Sequence, residues 1–167
     1  MNVNVLELFK FIQWFVFDID GVLTDGSLLI MPNGIMTRRM NIKDGYALQL
    51  AIKKGYRMSI ISGGSSVEVK DRLQKLGIID VHLKVQDKKK LLQELIATYQ
   101  IEPKQILYMG DDMPDFEVMG IVGLPCCPAD AAREVQDIST YISPHSGGYG
   151  CVRDVVEKVL RLHNKWI

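Results

Sequence analysis

WFVFDIDGVLTD, residues 14–25, runs an apolar strand straight into two aspartates one residue apart. Phe15, Val16 and Phe17 have no polar residue among them, so the strand reads as buried on both faces, as in a parallel sheet covered by helices. Asp18 and Asp20 stand where it ends. In open α/β sheets the carboxyl ends of the strands form the ligand crevice, so carboxylates placed there meet a metal or a substrate. The stretch therefore points to phosphoryl-transfer chemistry. A pair of aspartates alone is as readily a turn or a cap, and later segments have to decide.

Three of them do so, in order. Ser62 follows a second apolar run, residues 58–61, in MSIISGG; Lys88 opens the helical DKKKLLQEL; Asp111, Asp112 and Asp115 lie in YMGDDMPD after a further run, residues 106–109. Together with D-x-D-G-V-x-T at residues 18–24, this series resembles the haloacid dehalogenase superfamily, most of whose members are magnesium-dependent phosphatases.

Composition sets the outer bounds. At 167 residues the chain can bury one substantial core, and we read residues 1–167 as a single domain. Lys plus Arg and Asp plus Glu are both 20, so the overall field gives no reason to expect nucleic acid or an anionic membrane. The basic run Lys88, Lys89, Lys90 reads as a solvated helix face except for Lys88. Three cysteines, Cys126, Cys127 and Cys151, form no spaced metal motif and read as reduced and buried. Glu7, Lys10 and Gln13 interrupt the apolar amino-terminal residues, which argues against a signal peptide, and no segment reaches transmembrane length. The expectation is a cytoplasmic enzyme.

Along the chain, short apolar runs alternate with helical periodicity, the signature of an α/β fold. Residues 27–30 and 36–40 flank Pro32, Asn33 and Gly34, and Asn-Gly is a strong hairpin signal, so a projecting β-hairpin is expected at about 26–40. Helices are expected at 45–54, 65–76, 88–99 and 151–163. Ser65 with Glu68 reads as a capping box, Gly77 as a stop and Asp87 as an N-cap that sets Lys88 in the first turn. Leu91, Leu95, Ile96 and Tyr99 recur at core spacing. Between Asp18 and Ser62 the hairpin and one helix use most of the chain, and between Lys88 and Asp111 only one helix and one strand fit. No cap domain fits either interval. The expected architecture is a Rossmann-like core, a central parallel sheet flanked by helices, with an open site. Leu28, Leu29, Ile30, Ile35 and Met36 would leave an apolar patch exposed on a monomeric hairpin, which predicts a homo-oligomer.

The uncapped core, with DGVLTDG, NIKDG at residues 41–45, GDD at 110–112 and GGYGCVR at 147–153, resembles a narrower family, the 3-deoxy-D-manno-octulosonate 8-phosphate (KDO 8-phosphate) phosphatases. The resemblance implies a Mg²⁺ cofactor held by Asp18, Asp111 and the backbone carbonyl of Asp20. It implies Asp18 as nucleophile, Asp20 as proton carrier, and Ser62, Gly63 and Lys88 on the phosphoryl oxygens. It also implies a small phosphorylated sugar acid as substrate, a tetramer, and a place in lipopolysaccharide precursor synthesis. Lys43, Asp44 and Arg153 are candidates for the sugar acid. Relatives often have Arg where this chain has Gly64, an Arg that helps hold the substrate carboxylate, and Arg where it has Tyr149.

Several readings stay open. Asp112 and Asp115 either orient metal-bound water and Lys88 or cap the following helix, and Thr24 is either part of the motif's chemistry or a turn residue. The Gly147 to Gly150 segment either gates the site or makes a turn. His82, His145 and His163 are scattered and form no metal set. A nine-carbon sugar acid 9-phosphate, of the sialic acid or KDN type, would need the same chemistry. A phospho-receiver domain has similar residues in a different order, and a catalytically silent regulatory domain of this fold would retain them without turnover.

Overall fold

The computed structural model describes residues 4–167. Six strands form one parallel sheet: β1 (Trp14–Phe17), β4 (Arg57–Ile61), β5 (Asp80–His82), β6 (Ile106–Met109), β7 (Leu124–Cys127) and β8 (Tyr141–Ile142). Their order across it is β5-β4-β1-β6-β7-β8. The chain builds outward from β1 through β4 to β5, then returns to add β6 on the other side of β1. That reversal makes the carboxyl end of β1 the crevice of the sheet.

The packing follows from the strand period. Phe15 and Phe17 point to one face, where α2 (Ile42–Lys53), α3 (Val67–Lys75) and α7 (Cys151–Leu162) cover them through residues such as Leu48, Leu73 and Val156. Trp14 and Val16 point to the other, under α4 (Lys88–Tyr99), α5 (Met113–Met119) and α6 (Arg133–Ile138), through Leu92, Val118 and Val135. Period-two alternation thus splits one apolar run between two cores. Cys126 and Cys127 split in the same way, and all three cysteines are free and buried. A short helix, α1 (Val5–Phe9), precedes β1 and buries Phe9.

The hairpin, β2 (Leu29–Ile30) with β3 (Met36–Thr37), is antiparallel and closes through Gly34 at φ +79°. Its strands are shorter than expected. Every residue in them is exposed, so no second layer within the chain rewards longer pairing. Two helix starts also differ from expectation. Helix α2 begins at Ile42, ahead of Gly45, because Asn41 caps it by accepting from Lys43 N–H at 2.8 Å. Ser66 rather than Ser65 caps α3, accepting from Val69 N–H, which leaves Glu68 one position too early for the box and bonded instead by the Ser66 hydroxyl. Gly77 ends α3 at φ +94°, and Asp87 caps α4. Among the described residues no helix is long and apolar enough to cross a membrane.

Candidate active site

Four strand ends supply the site. Asp18 follows β1, Ser62 follows β4, Lys88 begins α4 beyond β5, and Asp111 follows β6. They line one open pocket of about 460 Å³ together with Asp20, Gly63, Gly64, Val85, Gln86 and Asp112. A larger groove of about 880 Å³ lies at the opposite end of the sheet, around Gln13, Arg57, Asp80 and His163, and contains none of these residues.

Lys88 sits between two carboxylates. Its Nζ is 2.9 Å from Asp18 Oδ2 and 2.8 Å from Asp115 Oδ1, with all three groups buried. Burial by itself would favour the neutral amine, but the Asp115 and Asp18 charges outweigh it and hold the lysine pKa above its usual value. Asp18 Oδ1 accepts from Ile19 N–H at 2.7 Å, which fixes the carboxylate plane. Asp115 accepts from Lys88, from the Tyr108 hydroxyl at 2.6 Å and from Asp111 N–H at 3.2 Å.

Asp18 and Asp111 both hold their protons more tightly than ordinary carboxyls. Burial pushes Asp18 up to about 7, helped by the Asp115 charge and opposed by Lys88. Burial, then the Asp18 and Asp115 charges, push Asp111 up to about 7 as well. A buried carboxylate beside a partly buried one, each raised by a neighbouring carboxylate charge, suits a hard divalent cation with oxygen ligands. One oxygen from each of Asp18, Asp111 and Asp115 lies within 4.8 Å of the others. Asp115 is the least available of the three, because Lys88, Tyr108 and Asp111 N–H already occupy its oxygens. Gly21, at φ +80°, turns the chain so closely past Asp111 that a Cβ there would overlap the carboxylate.

Asp20 lies nearer the mouth. Arg38, just beyond β3, grips it through Nε to Oδ1 at 2.5 Å and Nη2 to Oδ2 at 3.2 Å. The Ser62 hydroxyl accepts from Gly64 N–H at 3.1 Å, and Gly63 and Gly64 bring the loop close to the pocket without side chains. Asp112 caps α5 by accepting from Met113 N–H, whereas Asp115 holds Lys88, so the two acids divide the two readings between them. The Thr24 hydroxyl accepts from Gly21 N–H and Gly26 N–H, which makes it a turn residue.

Lys43, Asp44 and Arg153 are not brought into this pocket. Lys43 and Arg153 line a separate groove with His145 and Tyr149. Asp44 is 1% exposed; its Oδ1 accepts from Arg153 N–H at 2.7 Å, tying α2 to the start of α7, while its buried Oδ2 has no hydrogen-bond partner among the described residues. The glycine segment is pinned: Gly147 N–H donates to Asp130 and Gly148 N–H to the Val22 carbonyl, and a Cβ on Gly147 would overlap Gly21 backbone. That geometry favours a packed turn over a gate. The histidines stay outside the pocket, with His82 on Asp80 and His163 on the Lys10 carbonyl and Tyr56.

Two residues at the site were not singled out from the sequence. Tyr108 has a signal: a hydroxyl inside the otherwise apolar run ILYM needs a buried partner, which Asp115 supplies. Arg38 has none in its own neighbourhood, since the Arg38-Arg39 pair reads as ordinary surface charge.

A parallel sheet carrying a paired-aspartate strand end, a buried Lys and a later acidic cluster defines the haloacid dehalogenase-like hydrolases, and that family's model matches residues 75–152. The 3-deoxy-D-manno-octulosonate 8-phosphate phosphatase of Yersinia pestis is 33% identical over 97% of this chain and 87% of its own. The structure of the Moraxella catarrhalis phosphatase in complex with magnesium ion, phosphate ion and KDO superposes with a TM-score of 0.93 at 31% identity, covering 98% of this chain and 94% of that one. The cobalt-bound Haemophilus influenzae phosphatase superposes with a TM-score of 0.89 at 25% identity, over 94% and 92%. The chain belongs to the 3-deoxy-D-manno-octulosonate 8-phosphate phosphatase family.

Proposed function

We propose that this chain is a Mg²⁺-dependent phosphatase that hydrolyses KDO 8-phosphate to KDO and phosphate, with Asp18 as the nucleophile. The observation that carries the reading is the meeting of buried Asp18 and Lys88 with partly buried Asp111 in one pocket at the strand ends, with Asp20 beside them. Asp18, Asp111 and the Asp20 backbone carbonyl would hold the ion. When bound, Mg²⁺ offsets the repulsion between the Asp18 carboxylate and the phosphate dianion.

The chain's own groups do the rest. Asp18 attacks phosphorus in line and forms an aspartyl phosphate, splitting one difficult displacement into two. Asp20 gives a proton to the departing sugar oxygen, then takes one from the water that hydrolyses the intermediate. Lys88 at the start of α4 and the Ser62 hydroxyl, with Gly63 beside it, hold the phosphoryl oxygens, and the helix amino terminus adds partial positive charge. Asp115 keeps Lys88 aimed at Asp18, and Tyr108 keeps Asp115 in place.

The wider reading is a cytoplasmic homotetramer supplying KDO for lipopolysaccharide precursors. Supporting oligomerisation, the hairpin exposes Leu29 at 65% and Ile30 at 70%, beside exposed Leu28, Ile35 and Met36. A neighbouring subunit is also a means by which Lys43 or Arg153 could approach a sugar acid. The test is phosphate release with Mg²⁺ from KDO 8-phosphate, beside a nine-carbon sugar acid 9-phosphate, with Asp18→Asn as control. Asp18-dependent preference for the eight-carbon substrate is expected. Preference for the nine-carbon ester would overturn the substrate, and no Asp18-dependent release would overturn the enzyme.

A further inference from the structure

We propose that Arg38 is the specificity residue that receives the substrate's carboxylate, exchanging Asp20 for it when the sugar acid enters. The inference rests on the sugar acid phosphate reading above. Its first support is position. Arg38 is 9% exposed in its side chain and lies across Asp20, whose side chain is 37% exposed at the pocket mouth. A Cβ built on Gly64 would stand 3.2 Å from Asp20 Oδ2, 3.4 Å from Ser62 Oγ and 3.6 Å from Arg38 Nη2. The guanidinium therefore occupies the space into which a side chain at position 64 would grow, and the bare glycine leaves that space to a residue from the hairpin.

Charge supplies the second argument. Asp18, Asp20, Asp111 and Asp112 line the pocket, and Lys88 is the one cation among its described lining residues. Lys88 is committed to Asp18 and Asp115 deep inside. A ligand with a phosphate at one end and a carboxylate at the other needs a second cation, and Arg38, which lines the adjoining groove with Ser66, Glu68 and Arg72, meets the pocket through Asp20. Arg39, its neighbour, turns away to Asp25 and Tyr149. The planar fork that now grips both oxygens of Asp20 matches a substrate carboxylate equally well.

The exchange links recognition to chemistry through geometry. While the fork holds Asp20, both of its oxygens are turned to Arg38. Once the fork moves to the substrate carboxylate, Asp20 can face the leaving oxygen. A phosphate ester without a carboxylate cannot draw Arg38 away and leaves Asp20 engaged.

The experiment compares kcat/KM for KDO 8-phosphate and for mannose 6-phosphate, which has no carboxylate, in the wild type, Arg38→Met and Arg38→Lys. The wild type should prefer the sugar acid. Loss of a charged, forked hydrogen bond predicts that Arg38→Met lowers that preference by about 30- to 100-fold, chiefly through KM for KDO 8-phosphate. Arg38→Lys, keeping the charge but not the fork, should recover part of it. If Arg38→Met does not fold, Arg38→Lys carries the test, with an expected fall of about tenfold. A preference held within threefold in the folded variants overturns the role of Arg38 and leaves the proposed function standing. A wild type with no preference for the sugar acid overturns both, without recourse to any variant.

Discussion

Tyr108 and Asp115 meet in the interior between β6 and α5, the phenol donating to Asp115 Oδ1 at 2.6 Å, and the same oxygen takes Lys88 Nζ at 2.8 Å. An acid at 0% exposure is tolerated because two donors and a backbone N–H satisfy it. The phenol is correspondingly hard to ionise: burial, reinforced by the Asp115 charge, raises its pKa well above the usual value. The arrangement fixes the lysine from behind, leaving its other side on Asp18.

Asp115→Asn should therefore damage both folding and activity. Breaking a buried charge pair costs about 3–5 kcal/mol, since Lys88 keeps its charge with one partner fewer. Urea unfolding should show that loss, and phosphate release should fall with it as Lys88 loses its fixed aim. Full stability in Asp115→Asn would contradict this account of Lys88.

The raised carboxylates give a pH signature in metal-free protein. Asp18 and Asp111 bind protons more tightly folded than unfolded, with values about 7 against 3.8. The folded state then holds more protons between those values, so their contribution makes stability fall as pH rises from about 4 to 7 and level off above. Mg²⁺ should stabilise the protein more at pH 7.5 than at pH 5, because protons compete for the same oxygens. Thermal unfolding with EDTA or Mg²⁺ at the two pH values checks this; an equal Mg²⁺ effect at both would count against the carboxylate site.

Asp20→Asn separates proton transfer from phosphoryl transfer. For a sugar phosphate, whose alkoxide leaves poorly, loss of a general acid should lower kcat by about 10²–10⁴-fold. For p-nitrophenyl phosphate, whose leaving group needs no proton, the first step should fall much less. Burst kinetics on both esters would expose the difference, and equal losses would remove Asp20 from the proton role.

The hairpin predicts assembly. Replacing Leu29 and Ile30 by Asp should convert an oligomer to monomer in analytical ultracentrifugation, because these exposed side chains have no layer within their own chain. A monomeric wild type at micromolar concentration would remove the tetramer from the proposal.

Much of the sheet was legible because β1 and β6 are buried and largely apolar throughout and β4 is buried from Met58 to Ile61, with Asp18, Ser62 and Asp111 close behind them, and because Asp87 and Gly77 punctuate helices by local chemistry. Short pieces such as β8, with two residues, and α6, with six, have too few positions for a period to emerge. The shift of the α3 cap from Ser65 to Ser66 turned on which hydroxyl met the free Val69 N–H, a matter of one residue's dihedral angles.

At the site, sequence alone determined the residue types and their order: a strand must end before Asp18, Ser62 follows after a hairpin, one helix and one strand, and Lys88 and the acidic motif follow at spacings that one helix and one strand can bridge. Only tertiary structure decided which charges meet. Arg38, just beyond the hairpin, meets Asp20 from another part of the chain, and Asp44 accepts from Arg153 N–H at the start of α7. Such partnerships depend on three-dimensional distance and shared burial, whereas local pattern reports only what each segment does with its own backbone and its own apolar face.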